Sequence, residues 1–157
     1  MIKRNSFTVK EALEALKKYC AYQERCHQDV LNKLKSMGMI PEAIDQIVVE
    51  LIGLGYLNES RFAKTFVSGK FRIKKWGRKR LISELQKRGL SKFTINEAIN
   101  EISEAEYIEV FNALAEKRLE MIQADQKFTR KKKLANYLLY RGWESALVYD
   151  KVHELIR

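Results

Sequence analysis

At 157 residues, with 46% hydrophobic side chains, one proline and seven glycines, the chain can bury packed cores with few interruptions, which excludes wholesale disorder and favours helix. Its net charge of +10 lies mostly in the middle: residues 1–57 carry +1, residues 58–105 carry +7 and residues 106–157 carry +2, so polyanions are the natural partners. No apolar run approaches a membrane span and MIKRNSFTVK lacks the apolar core of an export signal, so we expect a cytoplasmic protein with no membrane partner.

Apolar spacing predicts a first helix over roughly Val9 to Glu24. Cys20 and Cys26 lie six apart and should face different ways, which argues against a disulfide or a shared metal; His27 beside Cys26 does not complete a ligand set. VLNKLKSMGMIPEAIDQIVVEL (30–51) then reads as a helix, a stop at Gly38 and a new helix opened by Pro41. LGYLNES (54–60) is too apolar for a flexible linker. Tyr56 belongs to a core, and Asn58 is the expected N-cap of a helix over Glu59 to Ile73. In that helix Phe62, Ala63, Phe66 and Val67 share an apolar face.

KFRIKKWGRKR (70–80) comes next, with seven cations and no acid. Its Trp76 could stack on an exposed base, but a large aromatic at a helix entry is expected in the core or at a junction. Gly77 either permits a close approach or starts the next helix, which should run from Arg78 to Arg88. LISELQKRGLSKFTINEAINEI (81–102) has Leu85 as a core residue, stops at Gly89 and restarts at Ser91. A helix over Tyr107 to Ile122, the basic run RKKK (130–133) and LANYLLYRGWESALVYDKVHEL (134–155) complete the chain.

The pattern occurs three times. Gly38, Gly89 and Gly142 align at spacings of 51 and 53 residues, and apolar character recurs around them at Leu34, Leu85 and Leu138, and at Ile44, Ile95 and Val148. The expected fold is all-α: three tandem three-helix, helix–turn–helix-like units over 1–57, 58–105 and 106–157, in an elongated, curved array. Units of about fifty residues sit near the lower limit of independent stability, so neighbours should lean on one another.

Catalysis is hard to assemble from these residues. The phosphate-cradling GxxxxGK[ST] pattern does not occur, His27 and His153 fall in different units, and pairs such as Glu97 and Glu101 read as a solvated helix face. We therefore expect no enzyme, no cofactor and no metal. Sequence-specific DNA reading is also disfavoured, because the helices after each turn carry net acid where base-reading helices would meet phosphate. The cations lie beside them: Lys70, Arg72, Lys74, Lys75, Arg78, Lys79, Arg80, Lys87 and Arg88 in the second unit, with Arg130, Lys131, Lys132 and Lys133 at the matching place in the third. These are the candidate partner- and DNA-binding residues, while Tyr56, Phe62, Trp76, Gly77, Leu85 and Gly89 are read as structural.

GYLNESRFAKTFV followed by KKWGRKRLISELQKRGL resembles the RecX family of regulators of the RecA recombinase. The likeness is carried by Gly55, Tyr56, Leu57, Glu59, Arg61, Phe62 and Ala63, then by Trp76, Gly77, Arg80, Leu81, Glu84, Leu85, Arg88, Gly89 and Leu90. Asn58 stands where the family commonly has aspartate, and both residues cap helices. The resemblance implies three tandem three-helix repeats and a protein that binds RecA filaments on single-stranded DNA and most often inhibits ATPase, strand exchange and coprotease activity. From charge we expect contacts to single- and double-stranded DNA through phosphates, and we expect a monomer. Charge alone leaves a second expectation open: a stand-alone, sequence-independent DNA binder acting through phosphates.

Overall fold

The computed structural model describes residues 7–157; the first six residues of the expected first unit, and with them most of the stretch read for an export signal, lie outside the described residues. Among the described residues there are nine helices and no strand: α1 (Val9–Tyr22), α2 (His27–Ser36), α3 (Pro41–Gly53), α4 (Glu59–Arg72), α5 (Arg78–Lys87), α6 (Lys92–Ile99), α7 (Glu104–Met121), α8 (Lys127–Tyr140) and α9 (Ser145–Leu155). No helix among them is long and apolar enough to cross a membrane.

Local chemistry sets the helix starts. Thr8 and Glu11 close a capping box at α1, the Asn58 side chain accepts from the Arg61 amide at 3.0 Å, and Ser91 accepts from the Thr94 amide at 3.2 Å. Pro41 opens α3 as expected of a first-turn proline. One start differs from the sequence reading. The helix expected from Tyr107 begins at Glu104, because Ser103 caps the Glu106 amide at 3.1 Å and two glutamates favour the positive helix end.

The three aligned glycines end their helices by one device. Gly38, Gly89 and Gly142 have φ of 77°, 77° and 92°, a region that costs side-chain-bearing residues about 1–2 kcal/mol. In each case the next residue donates back to the aligned leucine: Met39 to the Leu34 carbonyl at 3.1 Å, Leu90 to Leu85 at 3.3 Å, and Trp143 to Leu138 at 3.3 Å. All three leucines are fully buried.

Helices pack mainly within triplets: α1 and α2 on α3, α4 and α5 on α6, α7 and α9 on α8. The cores divide differently. Leu16, Leu34, Ile47 and Leu51 anchor a core belonging to the first triplet alone. The second and third triplets share one continuous core, joined by an aromatic cluster in which Tyr107 lies 4.6 Å from Trp143 and 5.8 Å from Phe71, between ring centroids. Phe62 and Leu85 are buried in this core, as expected, whereas Tyr56 is half-buried at the edge of the first one. The two cysteines separate likewise: Cys20 is buried in the first core and Cys26 in the second.

Candidate functional site

The basic stretch leaves α4 at Arg72 and enters α5 at Arg78, and between them the chain turns against the end of α8. Lys75 takes φ of 59°, unusual for a residue with a side chain, and its carbonyl accepts from the Trp143 indole N–H at 3.1 Å. Trp76 is half-buried, edge-on to Phe66 with centroids 6.2 Å apart. Gly77 performs both tasks the sequence allowed it. It is the N-cap position of α5, and it lies so close to α8 that a Cβ here would meet the Gly142 oxygen at 2.5 Å.

Three amides at the start of α5 are satisfied across this seam. Gly77 N–H donates to the Arg141 carbonyl at 2.8 Å, Lys79 N–H to the Gly142 carbonyl at 3.0 Å and Arg78 N–H to the Tyr107 hydroxyl at 2.9 Å. The positive end of α5 thus meets the negative end of α8, so each helix satisfies the other's unpaired terminal groups. Arg141 adds a bond from its guanidinium to the Lys74 carbonyl at 2.7 Å. The Tyr107 hydroxyl donates to Glu144, and burial together with that bond pushes its phenol far above the ordinary range.

This architecture sorts the cations into two classes. Arg78 is held inside the seam, over the Tyr107 ring at 3.7 Å and bonded to Glu104 at 2.5 Å and Glu144 at 3.3 Å. Desolvation works against its charge, yet Glu104, Tyr107 and Glu144 together hold its pKa above the usual arginine value. Arg72 pairs with Glu106 at 3.0 Å, Arg88 with Glu84 at 3.2 Å and Lys87 with Glu84 at 3.4 Å. Lys70, Lys74, Lys75, Lys79 and Arg80 have no carboxylate partner among the described residues. Two of these five lie on aromatic faces: Lys70 is 5.2 Å from the Trp76 centroid, and Arg80 sits 4.2 Å from Trp76 and 5.1 Å from Tyr140.

Arg130, Lys131, Lys132 and Lys133 occupy the first two turns of α8, with Lys131 3.4 Å from His153 Nδ1. They sit about 15 Å along the helix from the seam, by 1.5 Å per residue, so α8 carries one cation cluster near each end. Glu97 of α6 and Glu101, in the turn that follows it, face α4 instead. Glu97 accepts from the Ser60 hydroxyl at 2.5 Å, and Lys64 lies 3.7 Å from Glu97 and 3.4 Å from Glu101. No group of three or more metal-ligating side chains occurs among the described residues.

Sequence reasoning missed Tyr107, Glu104 and Glu144. Arg78 has the same local appearance as its neighbours, and its partners come from segments 26 and 66 residues away.

The comparisons with known proteins agree on one family. Residues 58–99 match the model of the second three-helix domain of RecX, and residues 104–152 that of the third. A regulatory protein RecX from Prosthecochloris aestuarii is 30% identical over 147 residues, covering 94% of this chain and 95% of that protein. Another, from Lactobacillus johnsonii, is 33% identical over 98 residues, which are 62% of this chain and 36% of that longer protein. The crystal structure of RecX from Lactobacillus salivarius has the same fold, with a TM-score of 0.81 at 24% identity over 94% of this chain and 96% of that one.

Proposed function

Because the chain belongs to the RecX family of regulatory proteins, we propose that it binds RecA filaments on DNA and inhibits their ATPase, strand exchange and coprotease activity. The observation that carries this reading is the likeness, over nearly its whole length, to a protein named as a RecX regulator. In this reading the protein acts as a cytoplasmic monomer without catalytic chemistry of its own. The carboxylate-free cations at the seam, Lys70, Lys74, Lys75, Lys79 and Arg80, face DNA phosphates or acidic filament surface, and Arg130 to Lys133 give a second contact about 15 Å away. Contacting several filament subunits at once raises affinity through effective concentration, without any single strong site.

The test is a titration of RecA's DNA-dependent ATPase with substoichiometric protein. The expected result is progressive inhibition, and a rate unchanged across the titration would refute the proposal. A second reading, a stand-alone DNA binder, is favoured by the five cations free of carboxylates. Lys74→Glu, Lys75→Glu and Lys79→Glu together separate the two readings; Arg78 is left out because it is committed to Glu104 and Glu144. The triple variant should flatten the log–log salt dependence of duplex binding by about 0.9 for each phosphate it no longer neutralises. Inhibition that survives when DNA binding is abolished would place the decisive interaction on protein.

A further inference from the structure

The seam carries more than charge. Phe66, Trp76 and Tyr140 form a row of rings with cations between them: Arg88 lies 4.8 Å from the Phe66 centroid, Lys70 is 5.7 Å from Phe66 and 5.2 Å from Trp76, and Arg80 is held between Trp76 and Tyr140. Tyr140 is the last ring of this row and is 78% exposed, although hydrophobic burial would be the ordinary fate of a large aromatic in a helix. Tyr140 also lines a concavity of about 790 Å³ between the end of α7 and α8. Lys133, Asn136, Tyr137 and Tyr140 reach it from one stripe of α8, at i, i+3, i+4 and i+7. Arg118 and Gln123 face them. The Arg118 guanidinium lies 4.2 Å from the Tyr137 centroid, and its Nε is buried with no hydrogen-bond acceptor among the described residues.

From this arrangement we infer that the α7–α8 concavity binds one unpaired nucleotide of a single strand, its base stacked on Tyr140. The chemistry is complete for such a ligand. A ring backed by a guanidinium offers a π-face that any base can use. The Asn136 and Gln123 amides can meet a base edge, and Lys133 a phosphate. A base in a duplex is stacked on its neighbours and cannot enter, so the site discriminates single from double strands in a way that phosphate contacts cannot.

This inference rests on the reading that nucleic acid is a partner, and it is tested without recombinase, so its failure is separate from failure of the ATPase titration. Binding of the full chain to a fluorescein-labelled dT20 strand, the same-length duplex and an abasic backbone of the same length is followed by anisotropy over a series of salt concentrations, the three compared at equal salt. Tyr140→Ala should weaken dT20 binding about 5- to 100-fold, leaving duplex and abasic binding and the salt slope unchanged. Tyr140→Trp should restore dT20 affinity. A weakening on dT20 below twofold, or an equal weakening on duplex and abasic strands, would overturn the assignment. So would wild-type protein that binds dT20 no tighter than the abasic strand.

Discussion

Gly89 and Gly142 occupy equivalent places in consecutive triplets, yet alanine should affect them very differently. At Gly89 a Cβ has open space around it, so Gly89→Ala costs only the left-handed backbone, about 1 kcal/mol. At Gly142 the same Cβ would overlap the Arg80 Cβ and backbone nitrogen and lie 2.9 Å from its Cα, so α5 must move away from the end of α8. That movement strains four hydrogen bonds at once: Gly77 to Arg141, Lys79 to Gly142, Trp143 to Lys75 and Arg141 to Lys74. At about 1 kcal/mol each, added to the backbone cost, Gly142→Ala should destabilise by roughly 3–5 kcal/mol. This is a large part of the 5–15 kcal/mol typical of a whole domain, given as an order of magnitude. Both tryptophans, Trp76 and Trp143, sit at the seam, so urea unfolding followed by tryptophan fluorescence reports on this shared core. If the two variants differ by less than about 0.5 kcal/mol, the seam is not held as argued.

Arg78→Ala should lower stability by about 1.5–3 kcal/mol, since it removes bonds to Glu104 and Glu144, while leaving the salt slope of DNA binding unchanged; urea unfolding and anisotropy check the two halves. Burial pushes the Cys26 thiol up to about 11 from 9.0, so its stabilising contribution is complete below pH 9 and is lost as pH rises toward 11. The stability difference between wild type and Cys26→Ala should therefore shrink by up to about 2 kcal/mol between pH 8.5 and 11 in paired urea titrations. A constant difference over that range would contradict the burial of this thiol.

The helices and their ends were legible because their causes are local. Asn58, Ser91 and Pro41 cap or start helices by bonds within one turn, and the repeated glycines stop them by bonds spanning five residues. Ser103, with Glu106 three places on, carries the same kind of local signal for the start of α7 at Glu104. The candidate site was legible as a density of charge but not as a pattern of use. Nothing near Arg78 in the chain distinguishes a cation bound to Glu104 and Glu144 from Lys79, which has no carboxylate partner among the described residues. Tyr140 likewise carries no local mark in LANYLLYRG that sets it apart from the other apolar residues of that stretch.

The sequence alone determined what depends on short range: an all-helical chain, three copies of a helix–glycine–helix unit, and a positive middle. Only the tertiary structure decided how the copies join. The second and third share a core because Phe71, Tyr107 and Trp143 meet there, whereas the first keeps its own. It also decided which charges remain for a partner, since an ion pair is a matter of distance in space. Arg78 and Glu144 are 66 residues apart in the chain, and folding brings them to 3.3 Å.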